Sequence, residues 1–95
     1  MVGVLRIELH IPTARSLKEK RSALRPLLDS ARARYRVSIA EVEYQELHQR
    51  AVLQVAAVAS AHHVLNETLD AVERLAWSAP GAEIVETRRG YFEED

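Results

Sequence analysis

Residues 51–59 read AVLQVAAVA. In an extended chain Leu53, Val55 and Ala57 share one face, while Val52, Ala56 and Val58 make the other face apolar as well, interrupted by Gln54. A strand that is apolar on both faces belongs in the middle of a sheet, covered on both sides. Helices of the same chain can provide one cover. The face formed by Val52, Gln54, Ala56 and Val58 is expected to meet a second copy, making the protein a homo-oligomer, in the simplest case a dimer.

The neighbouring segments supply the rest of the sheet and its helices. Upstream, Val37–Tyr44 is rich in β-branched residues and reads as a strand. Its alternation slips near Ala40–Glu41, as a bulge or an edge position would produce. The polar stretch Gln45–Gln49 joins it to the central strand. Residues 2–11, VGVLRIELHI, alternate from Leu5 onward: Leu5, Ile7, Leu9 and Ile11 point one way and Arg6, Glu8 and His10 the other. Pro12 ends that strand by removing a donor.

Ser16 and Glu19 have the spacing of a helix-opening capping box. Leu17, Leu24, Leu27, Leu28, Ala31 and Tyr35 then recur at helical spacing to about residue 36. Pro26 falls roughly opposite this apolar face, where the freed Ser22 carbonyl can be hydrated, so one kinked helix is expected. A second helix is expected over His62–Ser78, with Leu65, Leu69, Val72 and Leu75 inward. Pro80-Gly81 turns the chain into a last strand, Glu83–Arg89.

The order βαββαβ predicts an α+β, ferredoxin-like plait: an antiparallel sheet ordered 4-1-3-2 with two helices on one face. All 95 residues fit one domain, with residues 89–95 expected to form a loose C-terminal tail. Apolar residues make up 47% and charged residues 28%, a globular composition. The absence of cysteine removes disulfides, thiolate metal sites and a cysteine nucleophile. No apolar run approaches the ~20 residues of a membrane span, and no signal peptide opens the chain, so a cytoplasmic protein without a membrane partner is expected.

The net charge of −1 conceals a polarity. Residues 1–36 hold nine basic and three acidic residues, a net of +6, whereas residues 37–95 hold four basic and eleven acidic, a net of −7. On a helical wheel Lys18, Arg21, Arg25, Arg32 and Arg36 fall within an arc of roughly 60° beside the apolar face. Such a row can follow successive phosphates, each contact releasing condensed counterions. The expected nucleic-acid contacts are therefore Arg15, Lys18, Lys20, Arg21, Arg25, Arg32 and Arg36. Glu41, Gln45, Gln49 and Arg50 of the connecting hairpin are expected to add polar contacts.

Other constellations carry less. The hairpin has acids, amides, a histidine and an arginine, but an exposed turn seldom perturbs a carboxylate enough for acid–base work. Adjacent His62 and His63 point about 100° apart and do not form an i, i+4 metal clasp. No nucleophile–base pair and no glycine-rich phosphate loop is present. A binding protein is expected, with no catalytic residue, metal, cofactor or small-molecule substrate. The even positions of the first and third strands lack the aromatic pair that stacks single-stranded RNA on a sheet of this topology, which favours the first helix as the RNA contact.

Two segments resemble a known family. G-V-L-R-I-E-L-H-I-P-x-A-R-S-L-K-E-K-R at residues 3–21 and A-E-V-E-Y-Q-E-L-H-Q-R-A at residues 40–51 are similar to the YlxP-like proteins, a small bacterial family. The R-S-L-K-E-K-R segment is the most specific part, and the pattern extends along nearly the whole chain. The resemblance implies a ferredoxin-like fold. Genes of this family commonly lie among those for translation initiation and ribosome maturation, which implies RNA or a ribosomal subunit as partner. Family members often carry tryptophan where His48 stands here, and aspartate at the positions of Glu43 and Glu46.

Overall fold

A computed structural model describes residues 1–93. The elements are β1 (Val2–His10), α1 (Leu17–Tyr35), β2 (Ser38–Glu43), β3 (Arg50–Val58), α2 (His62–Trp77) and β4 (Glu83–Phe92). The sheet is antiparallel with order β2-β3-β1-β4, so the doubly apolar β3 is central, beside β1. This is the ferredoxin-like plait that the segment order predicts.

The odd residues of β1 and β3 build the core. Leu5, Ile7, Leu9, Leu53 and Val55 are fully buried against both helices. From α2 the buried set is Leu65, Leu69, Val72 and Ala76, one helical stripe. Leu65 packs so close to the sheet that a Cβ on Gly3 would lie 2.9 Å from its side chain. From α1 the buried set is Leu24, Leu27, Ala31 and, unexpectedly for a cation, Lys20.

α1 opens on a cap close to the expected one. The Ser16 hydroxyl accepts from the Glu19 N–H at 3.1 Å, while the Glu19 carboxylate accepts from the N–H of Arg15, one residue before the cap, at 3.0 Å. The helix runs unbroken through Pro26, whose ring is exposed. It stops at Arg36, which takes up the left-handed conformation (φ 54°) and donates its N–H to Arg32 O.

Both edge strands are bulged. On β2, Glu41 faces Leu53 and Glu43 faces Val52, leaving Val42 as the extra residue. This accounts for the slipped alternation: Glu41 turns toward the helices and Glu43 toward the open face of the sheet. On β4 the extra residue is Val85, between Ile84 opposite Leu9 and Glu86 opposite Glu8. Val42 and Val85 are both exposed as a result.

The expected loose tail is corrected over most of its length. β4 does not stop at Arg89; Tyr91 and Phe92 remain paired with Gly3 and Val2. The Tyr91 hydroxyl donates to Asn66 Oδ1 at 2.5 Å and its ring lies 4.7 Å from that of His62. Arg89 bridges to Asp70 and Glu73. These contacts to α2 extend the strand beyond the point where its hydrophobic pattern fades. Glu94 and Asp95, the end of that tail, lie outside the described residues. Among the described residues no helix is long and apolar enough to cross a membrane.

Candidate nucleic-acid interface

Four cations lie where the charge reading puts them. Arg15, Lys18, Arg21 and Arg25 are exposed on the N-terminal approach and first half of α1. Arg32 and Arg36 extend the row toward the helix C-terminus, also exposed. Arg32 donates to Ile39 O at 2.8 Å, which turns the stripe toward the edge of β2. Between stripe and edge lies a shallow groove of about 280 Å³ lined by Arg21, Leu24, Arg25, Leu28, Arg32 and the carboxylates of Asp29 and Glu41.

Lys20 does not belong to this surface, and its expected phosphate contact is corrected. Its side chain is 1% exposed, and its ammonium has three acceptors: Glu41 Oε2 at 2.6 Å, Tyr44 O at 2.9 Å and Arg50 O at 3.1 Å. An ammonium has three donors, so none is left for a ligand. The signal was available in the chain, because at 100° per residue Lys20 falls between Leu24 and Leu27 on the wheel, inside the core face.

The hairpin residues turn out to be its fasteners. Glu41 is the partner of Lys20. Gln45 donates its side-chain amide to Glu41 O, and Gln49 donates to both Pro12 O and Ala14 O, each at 3.2 Å. Tyr44 is left-handed (φ 62°), and its carbonyl also accepts from Leu47 N–H. Arg50 bridges to Glu8 and places its guanidinium 4.1 Å from the centroid of the Tyr44 ring. The hydrogen bond to Glu8 raises the Arg50 pKa further above its ordinary value, with Tyr44 adding to the effect. Glu41, Gln45, Gln49 and Arg50 thus each make a contact inside the protein. The hairpin still exposes Gln45, Gln49 and Arg50 together with its tip, Glu46, Leu47 and His48.

The open sheet face is divided. Arg6 of β1 reaches across β3 to Glu43 of β2 at 2.5 Å, and Arg50 reaches Glu8. These two ion pairs flank Val52, which is 0% exposed within the single chain. Val52 is therefore withdrawn from the expected oligomer face: the second cover that its position demands comes from the arginine and glutamate side chains of its own sheet. Gln54 and Ala56 are half-buried, and Val58 is 80% exposed. Arg88 binds Glu86 on the same face at 2.7 Å, and this holds the Glu86 carboxyl below its usual range.

The edge of β2 is also guarded. Ile39 O accepts from Arg32 and Glu41 O from Gln45, so side chains occupy backbone acceptors of a kind that would otherwise template another strand.

Comparison with known proteins identifies the family and the fold. Residues 2–89 match the family described as "Protein of unknown function (DUF503)". The chain belongs to the DUF503 family. It is 36% identical over 92 residues to the uncharacterized protein YlxP of Bacillus subtilis (strain 168), across 97% of this chain and 100% of that one. The YlxP-like resemblance carried by residues 3–21 and 40–51 is thereby shown. Among solved structures, a de novo designed protein with a ferredoxin fold, determined by solution NMR, superposes with a TM-score of 0.55 over 99% of this chain and 87% of its own, at 13% identity. That likeness concerns the fold alone.

Proposed function

We propose that this DUF503 protein is a small RNA- or ribosome-associated binding protein whose contact surface is the α1 stripe: Arg15, Lys18, Arg21 and Arg25, continued by Arg32 and Arg36. One observation carries the reading. Of the thirteen Lys and Arg residues, six form ion pairs: Arg6, Lys20, Arg32, Arg50, Arg88 and Arg89. Seven have no ion-pair partner among the described residues, and all of these except Arg74 lie between Arg15 and Arg36. Elsewhere carboxylates neutralise nearly every cation; from Arg15 to Arg36 only Lys20 and Arg32 are paired, and the positive charge of the other six is left available. Unneutralised cations in a row attract a polyanion and release its counterions on contact.

Co-sedimentation with ribosomal subunits across a salt series tests this. Binding at low salt that weakens steeply as salt rises is the expected result. Absence of binding at low salt, or binding indifferent to salt, overturns it.

A second reading rests on Val58, 80% exposed, and Phe92, 61% exposed, at one corner of the open sheet face beside Val2. This corner suits a second copy better than the polynucleotide stripe does, and a dimer would set two stripes side by side. Native mass spectrometry decides it: a monomer throughout the micromolar range removes this reading and leaves the first standing.

A further inference from the structure

The shape and composition of the stripe and its surroundings suit some forms of RNA better than others. From Lys18 to Arg36 the row spans eighteen helical rises, roughly 27 Å at 1.5 Å per residue. Lys18, Arg21, Arg25 and Arg32 lie on one unbroken helix, and Arg36 is its cap. The stripe contains no Phe, Tyr or Trp; Tyr35 is half-buried on the core side, with Arg34 stacked on it at 5.5 Å. Proteins that hold single strands combine a basic groove with aromatic platforms on which bases stack. This stripe is a convex helix face without platforms.

The sheet offers no alternative. The arginines on its open face, Arg6, Arg50 and Arg88, are each occupied by a carboxylate. Its central rows hold Glu8, Val52, Gln54 and Glu86 rather than aromatics. The groove beside the stripe carries Asp29 and Glu41, whose charge repels phosphate from its floor and leaves Arg21 and Arg25 as the cations a phosphate would meet.

Resting on the RNA-binding reading above, we propose that this surface takes base-paired, A-form RNA, with α1 laid along the phosphate backbone and the β2–β3 hairpin tip at the adjoining minor groove. Duplex RNA is recognised by shape, through phosphates and the 2′-hydroxyls of its wide minor groove, without base stacking. The hairpin suits the second contact. Lys20 holds its two ends to the second turn of α1, Gln49 ties it to the β1–α1 connection, and the free tip presents His48. A neutral imidazole both donates and accepts, as a 2′-hydroxyl does.

The test is fluorescence anisotropy with three probes of equal length: a mixed-sequence RNA duplex of about 16 base pairs, the same sequence as duplex DNA, and unstructured polyuridine. The duplex RNA is expected to bind at least tenfold more tightly than either. Arg21→Ala and Arg25→Ala are each expected to reduce the slope of log affinity against log salt by about one, and His48→Ala to narrow the margin over duplex DNA. Polyuridine binding as tightly as duplex RNA, or DNA binding as tightly, overturns the A-form proposal while leaving a polyanion-binding stripe. Failure of all three to bind at low salt overturns the RNA reading itself.

Discussion

Lys20 Nζ stands 2.6 Å from Glu41 Oε2, a buried lysine of α1 meeting a half-buried glutamate on the core-facing side of β2, the side it shares with Ile39. The same ammonium closes on the carbonyls of Tyr44 and Arg50, the two ends of the hairpin loop. Helix, edge strand and hairpin are therefore joined at one atom, and the hairpin's position relative to the basic stripe depends on it.

Removing one partner of such a pair leaves the other desolvated and unpaired, which is far costlier than removing both. Lys20→Met is expected to destabilise the protein by about 3 kcal/mol, because it strands the Glu41 carboxylate and two carbonyls. The double replacement Lys20→Met with Glu41→Leu is expected to recover part of that loss. Urea unfolding of the two variants checks the order; a double variant weaker than the single one contradicts it.

Val52 and Val58 sit on the same face of β3 and differ in cover, at 0% and 80% exposed. Val52→Thr puts a hydroxyl beneath the Arg6–Glu43 and Arg50–Glu8 pairs and is expected to cost about 1–2 kcal/mol. Val58→Thr is expected to stay within about 0.5 kcal/mol of the parent. Equal effects in thermal unfolding would mean that the ion pairs do not shield Val52.

Gly3 faces Leu65 with no room for a methyl group, its built Cβ lying 2.9 Å from the leucine. Gly3→Ala is expected to cost about 1–3 kcal/mol through overpacking. Adding Leu65→Val should relieve part of it. A double-mutant cycle reads this coupling, and simple additivity would contradict the close approach.

Glu86 has its pKa lowered by the hydrogen bond from Arg88 and by that residue's charge. A carboxyl depressed in the folded state adds stability above its unfolded pKa, and that contribution is lost as pH falls through the folded value. An NMR titration is expected to place the Glu86 midpoint below the ordinary glutamate range, and Arg88→Gln to move it upward. Solvent exposure of both side chains keeps the effect on stability small.

Arg36 ends α1 in the left-handed region, where a side chain crowds its own carbonyl. Arg36→Gly is expected to stabilise the fold by about 0.5–1 kcal/mol while shortening the stripe by one cation. Unfolding and RNA binding should therefore move in opposite directions in this variant.

The strand and helix order, the central place of β3, the irregularity of β2 and the row Lys18, Arg21, Arg25 were all legible in the chain. Each is a local property: period two or period 3.6 in hydrophobicity, a proline, a cap, a wheel angle. The fate of Lys20 was half legible, since its wheel angle placed it in the core but nothing nearby in sequence identified Glu41 as its partner. The rest required tertiary structure. Arg6 and Glu43 are 37 residues apart, Glu8 and Arg50 are 42 apart, and only the sheet register brings them together over Val52. That register turned an apparent oligomer position into a covered one, gave the hairpin residues internal partners, and let β4 run to Phe92 with contacts to α2. Composition counts charges, but folding decides which of them are already neutralised. Here it leaves the α1 stripe, Arg32 apart, as the surface where they are not.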